Sequence, residues 1–183
     1  MRPINSILVL LAALLAVFAE AAFGGIRHVL GAQIDLLPAL VVYAALFNGT
    51  APMAAVAVLG GLAFDSLSAN PWGVSVLPLF LIGFIVSVQH ELILRDEPFA
   101  QAVLGFLASA AAPALTVLLL LSMGRAPLIG WGSVWQWMVM SIGGGLAAPV
   151  VFMALRTCDR ALNYRRATEL SFRSDREIRR GRN

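Results

Sequence analysis

Six apolar runs, at 4–23, 36–47, 52–67, 74–88, 99–123 and 134–155, separated by short polar turns, make up most of this chain. Runs of this kind leave little choice of solvent. About 20 apolar residues cross the roughly 30 Å hydrocarbon core as a helix, because lipid offers no partner to unpaired backbone groups. Of the 183 residues, 60% are hydrophobic and 13% are charged, against about 25% charged in soluble domains. A soluble chain this short cannot enclose so much apolar surface, and a disordered one needs the opposite composition. The expected fold is an all-α integral membrane protein, a bundle of about six transmembrane helices. The spans fall at about 4–23, 30–47, 51–67, 72–89, 98–122 and 132–155, with a basic tail at 156–183.

Two of these spans need argument. The first carries Arg2 ahead of it and an Ala19-Glu20-Ala21 triplet that resembles a signal-peptidase site. It is read as a retained helix, since a multi-spanning protein uses its first helix as an uncleaved start signal. The second apolar run, 36–47, would cover only about 18 Å at 1.5 Å per residue. Its helix is therefore expected to begin before Asp35 and carry that acid inward, unless the bilayer thins locally. Pro38 then lies in the first turns, where its missing N–H costs least.

Arginine placement sets the expected orientation. The chain has no lysine, and nine of its 13 basic residues lie between 156 and 183. With six spans both termini share one side. Arg2, Arg95 and the nine tail arginines would lie there, and only Arg27 and Arg125 on the other. The positive-inside bias puts both termini in the cytoplasm. Trp72, Trp131, Trp135 and Trp137 then fall at the outer ends of helices, as an aromatic belt does. The tail is read as a solvated or interfacial helix that touches anionic lipid or a cytoplasmic protein.

No catalytic signature is present. His28 and His90 fall on opposite sides, and His90-Glu91 has no second histidine four residues on. No Gly-x-Ser-x-Gly elbow occurs, and without lysine neither a Schiff base nor a phosphate-loop lysine is possible. The single cysteine, Cys158, excludes an internal disulfide and a cysteine-based zinc cluster. No catalytic, metal or cofactor residues are assigned, and the basic excess is read as membrane orientation with no nucleic-acid partner.

Three acids stand out. Glu20, Asp35 and Asp65 are embedded in or beside apolar runs, toward the outer ends of helices one, two and three. Ionisable groups there are costly and carry a functional hypothesis by default. They could form a polar pocket, a docking point for a partner's helix or an ion pathway, or pair with Arg27 or Arg125. Small residues, chiefly Gly60, Gly61 and the triplet Gly143-Gly144-Gly145, permit close helix packing. That packing is either internal or a lateral groove for a single-span partner.

Gly60-Gly61-Leu62-Ala63-Phe64-Asp65, followed by Pro71-Trp72-Gly73, resembles the Gly-Leu-x-x-Asp and Pro-Leu-Gly element of the rod shape-determining protein MreD family. Trp72 departs from that family's usual aliphatic residue. Leu37-Pro38 through Tyr43-Ala44-Ala45-Leu46 resembles its second helix. The resemblance implies a non-enzymatic scaffold of the bacterial cell-elongation machinery. It would link an MreC-like bitopic protein and MreB to peptidoglycan synthesis by RodA and its transpeptidase. Taken with the embedded acids, Glu20, Asp35, Pro38, Gly60, Gly61, Asp65, Pro71 and Gly73 are the candidate structural or partner-binding residues. The family is also similar in fold to the substrate-binding subunits of energy-coupling-factor transporters. That supplies the alternative, a vitamin-type binding subunit with Ala12 and Ala16 as its helix-one contact.

Overall fold

The computed structural model describes residues 3–22, 31–68, 70–89, 97–125 and 130–171. His28, Arg27, His90, Arg95 and the tail beyond 171 lie outside the described residues. Six helices are found among the described residues: α1 Pro3–Ala22, α2 Leu37–Phe47, α3 Thr50–Leu67, α4 Val76–Val88, α5 Pro98–Ser122 and α6 Trp131–Ser171. Four of them, α1, α3, α5 and α6, are long and apolar enough to cross a membrane.

The bundle is built around α2. Every residue from Leu37 to Leu46 is buried. A helix apolar on all sides has no face to offer water and belongs in the middle of a protein, and α2 packs against all five other helices. The outer helices each bury one stripe and expose another. In α1, Val9, Ala13 and Val17 face inward while Ile7, Leu11, Leu14, Leu15 and Phe18 are exposed. In α4, Leu79, Ile82 and Val86 are buried, while Leu77, Phe80, Leu81, Phe84, Ile85 and Val88 form the exposed stripe. Exposed apolar surface on this scale is covered by lipid in a membrane protein.

The closest helix pairs meet at glycines. The most extensive pairing is α5 with α6. A Cβ on Gly105 would strike Ala148, and one on Gly144 would strike the Ser109 side chain. A Cβ on Gly61 would come within 3.0 Å of the Val76 backbone, and one on Gly60 within 2.6 Å of Leu37. Gly143 abuts Ile34, and Gly145 abuts Phe106. The lateral groove expected at these glycines is thus filled from within, by α2, α4, α5 and the segment before α2.

Two further expectations are corrected. The second helix does not start before Asp35; it starts at Leu37, behind non-helical residues 33–36. Pro38 sits at its first turn as argued. At 1.5 Å per residue α2 is about 16 Å long and α4 about 20 Å, both short of the hydrocarbon core. The sixth helix does not stop at Leu155 but runs on to Ser171, 41 residues in all. At the end of the bundle away from the acids, Tyr43, Phe47 and Phe152 form an aromatic cluster with T-shaped contacts of 5.2 and 6.1 Å to Phe152. The Arg156 guanidinium lies 4.5 Å above the Phe47 ring, so the tail's first arginine is anchored on the core by a cation–π contact.

Candidate functional site

The three acids converge on one end of the bundle, and each completes a helix start. The Leu36 amide donates to Glu20 Oε1 at 2.7 Å, and the Leu37 amide donates to Asp35 Oδ1 at 2.8 Å. Two carboxylates, one from the last turn of α1 and one from the chain itself, thus take consecutive amides at the N-terminus of α2. Asp65 does the same for α4. Its Oδ2 accepts the Gly73 amide at 2.8 Å and the Ser75 amide at 3.2 Å. First-turn N–H groups have no partner within their own helix, and the helix dipole favours negative charge there. A start buried inside the protein has no water to supply that partner, so the protein supplies a carboxylate.

The turn before α4 shows why glycine and proline stand where they do. The Val74 amide donates to the Pro71 carbonyl at 3.3 Å, and Gly73 has φ +85°. Those are the marks of a type II turn, whose third residue needs positive φ. Trp72, at the second position, is 78% exposed. With Trp131, Trp135 and Trp137, also exposed, it rings the same end.

The non-helical approach to α2 is held by amides that sequence reasoning did not single out as a site. The Gln33 amide donates to Gln136 Oε1 at 3.0 Å, and Gln136 Nε2 donates to the Gln33 carbonyl at 2.9 Å. Gln33 Nε2 donates to the Glu20 carbonyl at 3.3 Å. This pairing lets an irregular strand of backbone lie inside the protein with its polar groups bonded. A signal was available: Gln136 is a lone amide within an otherwise apolar run.

These elements enclose a cavity of about 270 Å³. Asp35 and Leu37 lie at its floor, Phe64 comes from α3, and Asn70 and Ser75 from the turn before α4. Pro78 and Leu79 line one wall, and Ala112, Pro113, Thr116, Val117 and Leu120 of α5 the other, with Met140 of α6. The site candidates therefore divide. Asp35 lines the cavity, while Glu20 and Asp65 brace its rim from behind. Pro71 and Gly73 shape the turn at its edge. Gly60, Gly61 and Pro38 are buried packing positions. Arg125 is exposed. Among the described residues no group of three His, Cys, Asp or Glu could hold a metal ion.

Residues 1–152 match the sequence profile of a family described as rod shape-determining protein MreD. The match covers α1 to α5 and α6 as far as Phe152. No curated protein and no solved structure matches the chain.

Proposed function

We propose, because the chain belongs to the rod shape-determining protein MreD family, that it acts as a membrane scaffold of the cell-elongation machinery. Membership assigns it a role in rod-shape determination, and the family is a structural one. The finer reading is that it joins an MreC-like bitopic protein, and through it MreB, to peptidoglycan synthesis by RodA and its transpeptidase. The observation that carries the reading is the match itself, which spans α1 to α5 and α6 as far as Phe152.

The fold suggests how such a scaffold works. The glycine notches are filled by the chain's own helices, so a single-span partner would pack on the exposed apolar stripes of α1 and α4. Association there rests on van der Waals contact and displaced lipid. The capped end would face the periplasm, and α6 would carry arginines about 20 Å beyond the membrane as a straight arm toward the cytoskeletal side.

Affinity purification of the full chain from mild detergent is expected to bring down an MreC-like bitopic protein, and depletion is expected to turn rods into spheres. Normal rods after clean deletion would refute the scaffold reading. Orientation has its own test, since Cys158 is the chain's single cysteine and is exposed. A membrane-impermeant maleimide should label it in inside-out vesicles and leave it unlabelled in intact spheroplasts. The reverse pattern would place the tail outside.

A further inference from the structure

We propose that the cavity between α4 and α5 binds a small organic cation, a primary ammonium on a compact apolar body. The inference does not depend on the scaffold reading, because it rests on the cavity's own lining. Asp35 is 8% exposed. One of its oxygens holds the Leu37 amide at 2.8 Å, and the other has no partner among the described residues. Among the described residues it is the single carboxylate that lines the cavity.

The rest of the lining defines the ligand. Besides Asp35 the polar lining residues are Asn70, Ser75 and Thr116; the remaining positions, from Phe64 and Leu79 to Leu120 and Met140, are apolar. Thr116 donates its proton to the Ala112 carbonyl at 2.9 Å, which leaves its oxygen free only to accept. Two helix N-termini point toward this region, a geometry that would ordinarily favour an anion. Here their first amides are already taken by Glu20, Asp35 and Asp65. With carboxylates on those amides the helix starts present less positive potential to an anion, and among the described residues no basic side chain lines the cavity. What remains is a buried carboxylate with acceptors beside it in an apolar chamber. Such a site is complementary to a charged donor, which offsets part of the cost of holding a carboxylate out of water and bonds to it more strongly than a neutral donor does. At about 270 Å³ the space lies just below the usual range of drug-sized pockets, which fits a ligand of one ring or a short branched chain.

The test uses the full chain in nanodiscs with phenethylammonium as probe and phenylethanol as its uncharged counterpart, read by calorimetry. Saturable binding of the amine is expected. The alcohol should bind the wild type, and the amine should bind Asp35→Asn, at least about ten-fold more weakly, the scale of one charge-assisted hydrogen bond. Leu120→Trp, which fills the cavity from α5 and leaves the Leu37 cap intact, should abolish binding without lowering the unfolding temperature. Titration of each ligand into protein-free nanodiscs of the same lipid supplies its partition into the bilayer, which is subtracted. Equal binding of amine and alcohol overturns the proposal, as does wild-type affinity in Leu120→Trp, or the absence of saturable binding to folded wild-type protein. Should Asp35→Asn fail to fold, Leu120→Trp and the alcohol decide the matter.

Discussion

Asp65→Ala should destabilise the bundle by about 2–4 kcal/mol, the cost of leaving two amides without an acceptor away from water. Asp65 is 1% exposed and holds the Gly73 and Ser75 amides with a single oxygen. Its removal therefore unpairs two amides at the α4 end of the α3–α4 connection at once. The loss should also loosen Val76 from Gly61, where the two helices touch at their backbones. Asp65→Asn keeps an oxygen for the amides but turns an NH₂ toward the place of Oδ1, a buried atom with no partner. Its cost should be smaller, about 1–2 kcal/mol. Unfolding in a detergent series would measure both. An Asp65→Ala variant within 0.5 kcal/mol of wild type, roughly the noise of a surface substitution, would mean that the turn is held by something else. An Asp65→Asn variant of near-native stability that no longer supports rod shape would assign the carboxylate a second role toward a partner.

Gly144→Ala should be as damaging, although it adds one methyl group. The new Cβ would overlap Ser109, which is fully buried on the facing turn of α5. The two helices can only move apart, and overpacking of this kind costs about 1–3 kcal/mol or more. Here the shift would propagate along the largest helix pair, because Gly105 and Ala148 sit one turn away in the same contact. The remedy can be stated in advance. Ser109→Gly removes both the obstructing side chain and a hydroxyl that has no hydrogen-bond partner. The double variant Ser109→Gly with Gly144→Ala should recover most of what Gly144→Ala alone loses, giving a coupling of at least about 1 kcal/mol between contacting sites. Simple additivity of the two changes in thermal unfolding would show that this contact does not limit the approach of α5 to α6.

Sequence periodicity reached most of the elements but not the depth at which two of them begin. The twelve apolar residues at 36–47 looked too short to span, and extending the helix back past Asp35 was the local solution. The structure takes another route. The chain stays irregular through residues 33–36 and bonds its backbone to Glu20 and Gln136, which are distant in sequence. No local pattern signals that, because the cost of an unhelical segment is decided by partners elsewhere in the chain. The acids were legible as exceptional, since an apolar helix must justify each charge. Their task was not. Pairing with arginine and contact with a partner were the natural readings; capping the starts of two short helices emerged only when α1, α2, α3 and α4 were set side by side. The glycines tell the same story. Gly60, Gly61 and Gly143–Gly145 were readable as places of close approach, but which surface approaches them is a property of the packed bundle.

What the sequence determined by itself was the solvent, the number of helices and the family. Low charge and long apolar runs admit one environment, and the Gly60 to Gly73 element carried the family resemblance. What only the tertiary structure decided was the interior. It selected α2 as the buried centre, closed the glycine notches with the chain's own helices and opened a carboxylate-lined cavity where two short helices begin. The physical reason is that hydrophobicity is scored residue by residue against the bilayer, whereas packing and hydrogen bonding are satisfied between residues far apart in the chain.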